Sequence, residues 1–138
     1  MAAELHQEGL QYLLEVAFTE EQSVPANFYI GLATDAALAE NASLGDQTEV
    51  SGTGYARQTV ASDNVDITSA TTGTNDRKIT TKTVTFTAGG TWTGANTTFL
   101  ATSSDDSGKL IASAPLSETR TLTDNSTLST AIEIDLTG

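Results

Sequence analysis

One histidine and eighteen carboxylates are the groups in this sequence that could move a proton, and there is no cysteine. A nucleophile relay of the Ser-His-Asp type would have to be organised around His6, on the first turn of an N-terminal helix. Helix ends fray, so His6 reads as a solvated helix residue rather than a base. Thiolate zinc sites and disulfides are excluded by composition. Paired carboxylates could hydrolyse glycosides, but the acids fall in loops or on the helix, and no pair is flanked by a cluster of aromatics. Asp105-Asp106-Ser107-Gly108 offers oxygens for a hard cation. It lacks the alternation and late Glu of a calcium loop, and hairpin-turn chemistry explains it better. Gly52 and Gly54 precede neither a Lys nor a helix, so they make no phosphate loop. Trp92 with Tyr29 or Tyr55 could present a sugar platform; a core or interface tryptophan is the better reading. The expectation is a protein that is not an enzyme and has no cofactor and no metal.

The elements that would position these groups are mostly strands. A helix is expected over residues 3–18, with Leu10, Leu13, Leu14 and Ala17 as one apolar stripe. Tyr12, Val16 and Phe18 widen its apolar surface toward a second contact. Glu4 and Glu8 suit the positive end of the helix dipole, while Gly9 weakens the helix by about 1 kcal/mol relative to Ala. Pro25 ends it. Asn27–Ala33 is the opening strand, with Phe28, Ile30 and Leu32 on one face and Gly31 marking a close approach or bend. Residues 35–52 form a long connection in which Ala36–Glu40 could make one helical turn; loops of that length usually have a role.

Further strands are expected at Tyr55–Ala61, Val65–Thr68, through "TTKTVTFTA", at Thr97–Thr102 and at Lys109–Leu116. Leu128, Thr130, Ile132, Ile134 and Leu136 share one face of the last, the clearest period-two signal in the chain. Short strands with polar turns at this spacing indicate a mainly β fold: an antiparallel β-sandwich or barrel-like domain with one N-terminal α-helix. Residues 1–138 read as a single domain, helix 3–18 followed by a β-domain over 27–138, with no internal repeat.

Composition bounds the role. Leu, Ile, Val and Phe total 29 of 138 residues, a lean core, while 25 threonines supply the β-branched filler of strands with one wet face. A thin interior gains from a neighbouring subunit, since a bound partner stabilises the folded state. The net charge is −12, and residues 1–56 hold nine acids without a single Lys or Arg. Phosphate binding needs clustered cations, so neither nucleic acid nor an anionic membrane is an expected partner. No apolar run approaches the ~20 residues that span a bilayer, and the N-terminus lacks the pattern of a secretory signal. Synthesis in a cytoplasm is expected.

Two quoted segments carry a resemblance. "PANFYIGLATD" after the helix and "GTGYARQTV" after the loop, followed by "VTFTA", a Trp-bearing turn, "TTFLA", "KLIASAPL" and "LSTAIEIDL", are similar to a group of small tailed-bacteriophage virion structural proteins. The order covers almost the whole chain, with "YIGL" and "GYAR" its distinctive parts. The chain departs from the pattern in "DSG", where a Gly-Gly turn is usual, and in "DNSTL" before the last strand. Such proteins are labelled capsid decoration or cement, head fibre or tail fibre. The resemblance implies a virion structural role. The first expectation is a capsid decoration protein on the capsid surface, seated as a homotrimer on the major capsid protein. The alternative is a tail or collar fibre component bound to other virion proteins, or a host-glycan-binding module, which would need Trp92 exposed. The expected contact residues are Tyr12, Val16 and Phe18 on the helix, with Asp35, Glu40, Asp46 and Glu49 in or beside the long loop.

Overall fold

The computed structural model describes residues 2–137. A two-residue strand β1 (Glu4–Leu5) precedes helix α1 (Gln7–Leu14), which runs into a single π-helical turn (Glu15–Thr19). Strand β2 (Asn27–Ala33) and a 3-10 turn (Leu44–Asp46) follow. The remaining strands are β3 (Gln58–Ala61), β4 (Ile67–Gly73), β5 (Asp76–Thr81), β6 (Val84–Thr87), β7 (Ala95–Ala101), β8 (Leu110–Arg120), β9 (Thr127–Thr130) and β10 (Glu133–Leu136). They form antiparallel sheets of five strands (β1-β8-β7-β2-β3), three (β10-β5-β4) and two (β6-β9). The fold is therefore mainly β and sandwich-like with one helix near the N-terminus, as the sequence indicates.

The central strands β2, β7 and β8 are buried on both faces where they overlap, at Ile30–Ala33, Thr97–Ala101 and Leu110–Ala114. One apolar cluster joins Ile30, Leu32, Leu100 and Ala112 to Phe86, Trp92, Ile132 and Ile134. A smaller one joins Phe99, Ala101 and Leu110 to Ala42 and Leu44 of the long connection. Segment 35–52 is thus a cover over the second face of the five-stranded sheet, which is the role its length called for. By contrast β4 and the β4–β5 turn are exposed from Thr68 to Asn75.

Four expected elements are corrected. The helix does not begin at Ala3. Residues Glu4 and Leu5 pair with Ser113 and Ala112, and the His6 amide donates to the Ile111 carbonyl at 2.9 Å, so extended backbone claims this stretch. Ala36–Glu40 forms no helical turn; the turn is at Leu44–Asp46, fixed by the Asp46 carboxylate accepting from the Ser43 amide at 2.8 Å. Finally, "TTKTVTFTA" and the last strand are each broken in two. β5 and β10 pair with each other while β6 pairs with β9, so both segments change sheet at one corner. Thr81 and Ile132 hold that corner: the Thr81 amide donates to the Ile132 carbonyl, and the Ile132 amide donates to Thr81 Oγ1, both at 3.0 Å.

The leucine stripe does not face the core either. Leu10, Leu13 and Leu14 are 46%, 39% and 57% exposed, while Gly9 and Tyr12 are buried and Val16 packs on the core edge. Gly9 is the cause. A methyl group there would overlap the Ile111 backbone, so the helix lies on β8 at a separation only glycine allows and turns its 9-12-16 face inward. Gly9→Ala should consequently lower stability by about 1–3 kcal/mol, overpacking outweighing the helix-propensity gain of about 1 kcal/mol. Urea unfolding of the two proteins measures this, and a stabilised variant would disprove the close approach.

Candidate functional site

The two distinctive segments of the sequence meet in space. Gly31 of "YIGL" lies opposite Phe99 in the β2–β7 register, and a side chain at 31 would collide with the Phe99 ring. The guanidinium of Arg57, from "GYAR", sits 5.1 Å from the centroid of that ring. The Arg57 side chain is 2% exposed and fully occupied. Nε and one terminal nitrogen donate to the two oxygens of Glu49 at 2.9 and 2.8 Å, a bidentate pair. The other terminal nitrogen donates to the carbonyls of Ser103 and Asp105, and Asp106 completes the set at 2.6 Å. Burial alone would pull the Arg57 pKa down; the bonds to Glu49 and Asp106 outweigh it and hold the group above its ordinary value.

Tyr55 extends the same node. Its hydroxyl accepts from the Leu32 amide at 2.9 Å and donates to Glu49 at 2.7 Å, and burial raises its pKa. Its ring lies edge-on to Trp92 with centroids 5.3 Å apart. Trp92 is 2% exposed, and its indole N–H donates to the Thr53 carbonyl at 2.7 Å. A core tryptophan, not a surface sugar platform, is what this geometry makes. Because Tyr55 and Arg57 serve this node, the strand expected from Tyr55 begins only at Gln58.

The groups with chemical potential hold the chain together. His6 is fully buried, not solvated as expected: Nδ1 lies 2.9 Å from the Ala39 carbonyl and Nε2 2.7 Å from Ser113 Oγ, tying helix, cover and sheet. Glu8 accepts from the amides of Leu44 and Leu110 at 3.1 and 2.7 Å. In the "DDSG" turn Asp105 accepts from the Ser107 amide and hydroxyl while Asp106 faces Arg57, the hairpin arrangement rather than a converging set of oxygens.

Of the residues expected to form a contact surface, Tyr12 does not lie on the helix surface. It is buried, its hydroxyl donating to the Ser23 carbonyl at 2.9 Å. Asp35 accepts from the Thr48 amide at 2.7 Å, Asp46 holds its turn, and Glu49 is bound to Arg57. Glu40 is exposed, Val16 half-buried, and Phe18 79% exposed. Tyr12 is thus a core residue and not part of a surface.

What the structure does expose is apolar. Leu14 and Val24, each 57% exposed, accompany Phe18 around the π-helical turn, which ends at Glu20 in a left-handed conformation (φ 57°). Between α1 and the three-stranded sheet runs an apolar groove of about 280 Å³. Leu13, Ile67, Ile79, Ile134 and Leu136 line it, with Arg77 and Lys78 also on its walls. Sequence reasoning missed the groove because it assigned Leu13 and Leu136 to the core. The six bases of the chain carried a usable signal, since three of them, Arg77, Lys78 and Lys82, fall within six residues.

Two carboxylates predict an acid response. The bond to Lys82, then that to the Ala61 amide, lowers the pKa of Asp66, and the Ser107 hydroxyl and amide lower that of Asp105. A depressed folded-state pKa means stability that is present above the ordinary carboxylate value near 3.9 and lost as pH falls through the lower folded value. The melting temperature should fall on acidification through that window, and less steeply in an Asp66→Asn, Asp105→Asn variant. Parallel slopes for the two proteins would contradict the assignment.

Among the described residues no helix is long and apolar enough to cross a membrane. The model of a family described as podophage GP4 fiber I protein gp80 matches residues 5–136 of the chain. No curated protein matches it.

Proposed function

Since the chain belongs to the podophage GP4 fiber I protein gp80 family and is a phage virion structural protein, we propose that it serves as a component of a fibre attached to the particle. The observation that carries this reading is a family match spanning nearly the whole β fold, under a description that favours the fibre alternative over capsid decoration. The chain acts by binding rather than catalysis. In support, its only histidine, its bidentate Glu49–Arg57 pair and its buried Trp92 are all engaged in holding the fold. Its partners are other virion proteins and further copies of itself, three to a unit, with the exposed apolar surfaces as contacts. The acidic surface suits a protein partner better than nucleic acid.

Copy number tests the location. Densitometry of purified particles should find this chain at a small fraction of the major capsid protein, and antibody-labelled particles should show it on projecting fibres. A stoichiometry near that of the capsid protein, with label spread over the shell, would return the role to capsid decoration.

A further inference from the structure

We infer that the Phe18 knob of one copy fills the apolar groove of a second copy, making the contact by which the chain assembles with itself. This rests on the reading of the chain as a self-associating virion component, and names the surfaces. The knob and the groove are both apolar and both open to solvent. Among the described residues Phe18 is the most exposed of the large hydrophobic ones, at 79%, and Leu14 stands four residues before it. The groove, at about 280 Å³, exceeds the cavity of about 150 Å³ that admits a benzene ring. Aromatic anchors seated in pockets carry most of the energy of protein contacts.

Charge selects the occupant. The knob is acidic, with Glu15, Glu20 and Glu21 around Phe18 and not one base among residues 1–56. On the groove side Arg77 and Lys78 occupy neighbouring positions of β5. Lys78 is 3.5 Å from Glu133, whereas Arg77 has no ion pair among the described residues and donates to the Asp76 carbonyl. A second copy of this chain supplies an acidic aromatic segment to an apolar groove with Arg77 on its wall, and opposite charges at the rim set orientation. Knob and groove are different surfaces, so two copies satisfy both by a reciprocal two-fold exchange, and a head-to-tail arrangement gives a ring where its rotation closes.

Sedimentation velocity on the full chain tests this. Wild-type protein should associate, and Phe18→Ala should weaken association at least tenfold while the fluorescence of buried Trp92 stays unchanged. Leu136→Asp, at a half-exposed groove position, should do the same from the other side. Mixing these two variants should regenerate a one-to-one complex, because one retains the groove and the other the knob. Arg77→Glu should weaken association, and Glu20→Lys with Glu21→Lys should restore it. Unchanged association of Phe18→Ala, no complex on mixing, or a wild-type monomer at high concentration would each overturn the inference. A monomer whose particle binding is lost in Phe18→Ala would assign the knob to another virion protein instead. The fibre reading fails separately, if self-associating chain is absent from particle fibres.

Discussion

Ile132→Asp is expected to yield chain without a cooperative thermal transition. Ile132 is fully buried at the corner where β5 and β10 part from β6 and β9, and both of its backbone polar groups are bonded to Thr81. A carboxylate placed there meets apolar neighbours of the main cluster. An unpaired buried charge costs several kcal/mol, against a total stability of about 5–15 kcal/mol for a domain. The damage also spreads, since one corner fixes the pairing of two sheets. Ile132→Val, which removes a single methylene, should cost only about 0.5–1.5 kcal/mol and keep the transition. Circular dichroism melts of both variants decide the matter; a soluble, cooperatively melting Ile132→Asp protein would mean that this position is not sealed.

Arg57→Met should be the next most damaging change, at about 3–5 kcal/mol by urea unfolding. The guanidinium closes the space between Glu49, the Phe99 ring and the 103–106 turn, and its loss leaves the Glu49 carboxylate with the Tyr55 hydroxyl alone and takes this donor from the Ser103 carbonyl. The Asp106 contact adds little, because that side chain is 62% exposed and water screens it. Breaking one half of such a pair is worse than removing both. Arg57→Met with Glu49→Gln should accordingly recover part of the loss, a coupling readable from a double-mutant cycle. If the double variant is as unstable as the two single losses added, the pair is not what holds the node.

Period-two patterning exposed the strands and the fold class most directly in β6, where Val84 and Phe86 are buried and Thr85 and Thr87 exposed, whereas β7 and β8 are buried on both faces where they overlap. It did not reveal where a strand changes sheets. Nothing in "TTKTVTFTA" marks the break at Lys82–Thr83, since threonine suits both a strand and a corner. The helix was legible as a segment but not in its orientation: a leucine stripe predicts the buried face only when the helix stands at an ordinary distance, and Gly9 removes that condition. His6 and Arg57 were opaque for a related reason. A polar residue enters a core when partners distant in sequence meet it there, and Ser113, Ala39, Ser103 and Asp105 are such partners. Of the proposed contact surface, Phe18 could be picked out beforehand because it is apolar among acids. The groove that faces it exists only once β4, β5 and β10 are laid against the helix.

The double-sided burial of β2, β7 and β8, set against the open β4–β5 turn, divides the molecule into slow and fast regions of amide deuteration. Amides of Ile30–Ala33 and Leu110–Ala114 should exchange only through global unfolding, whereas those of Thr71–Asn75 should exchange within the shortest labelling times. Because the fast region borders the groove, a bound neighbour would leave its footprint there as retarded uptake, while the slow strands serve as an internal clock.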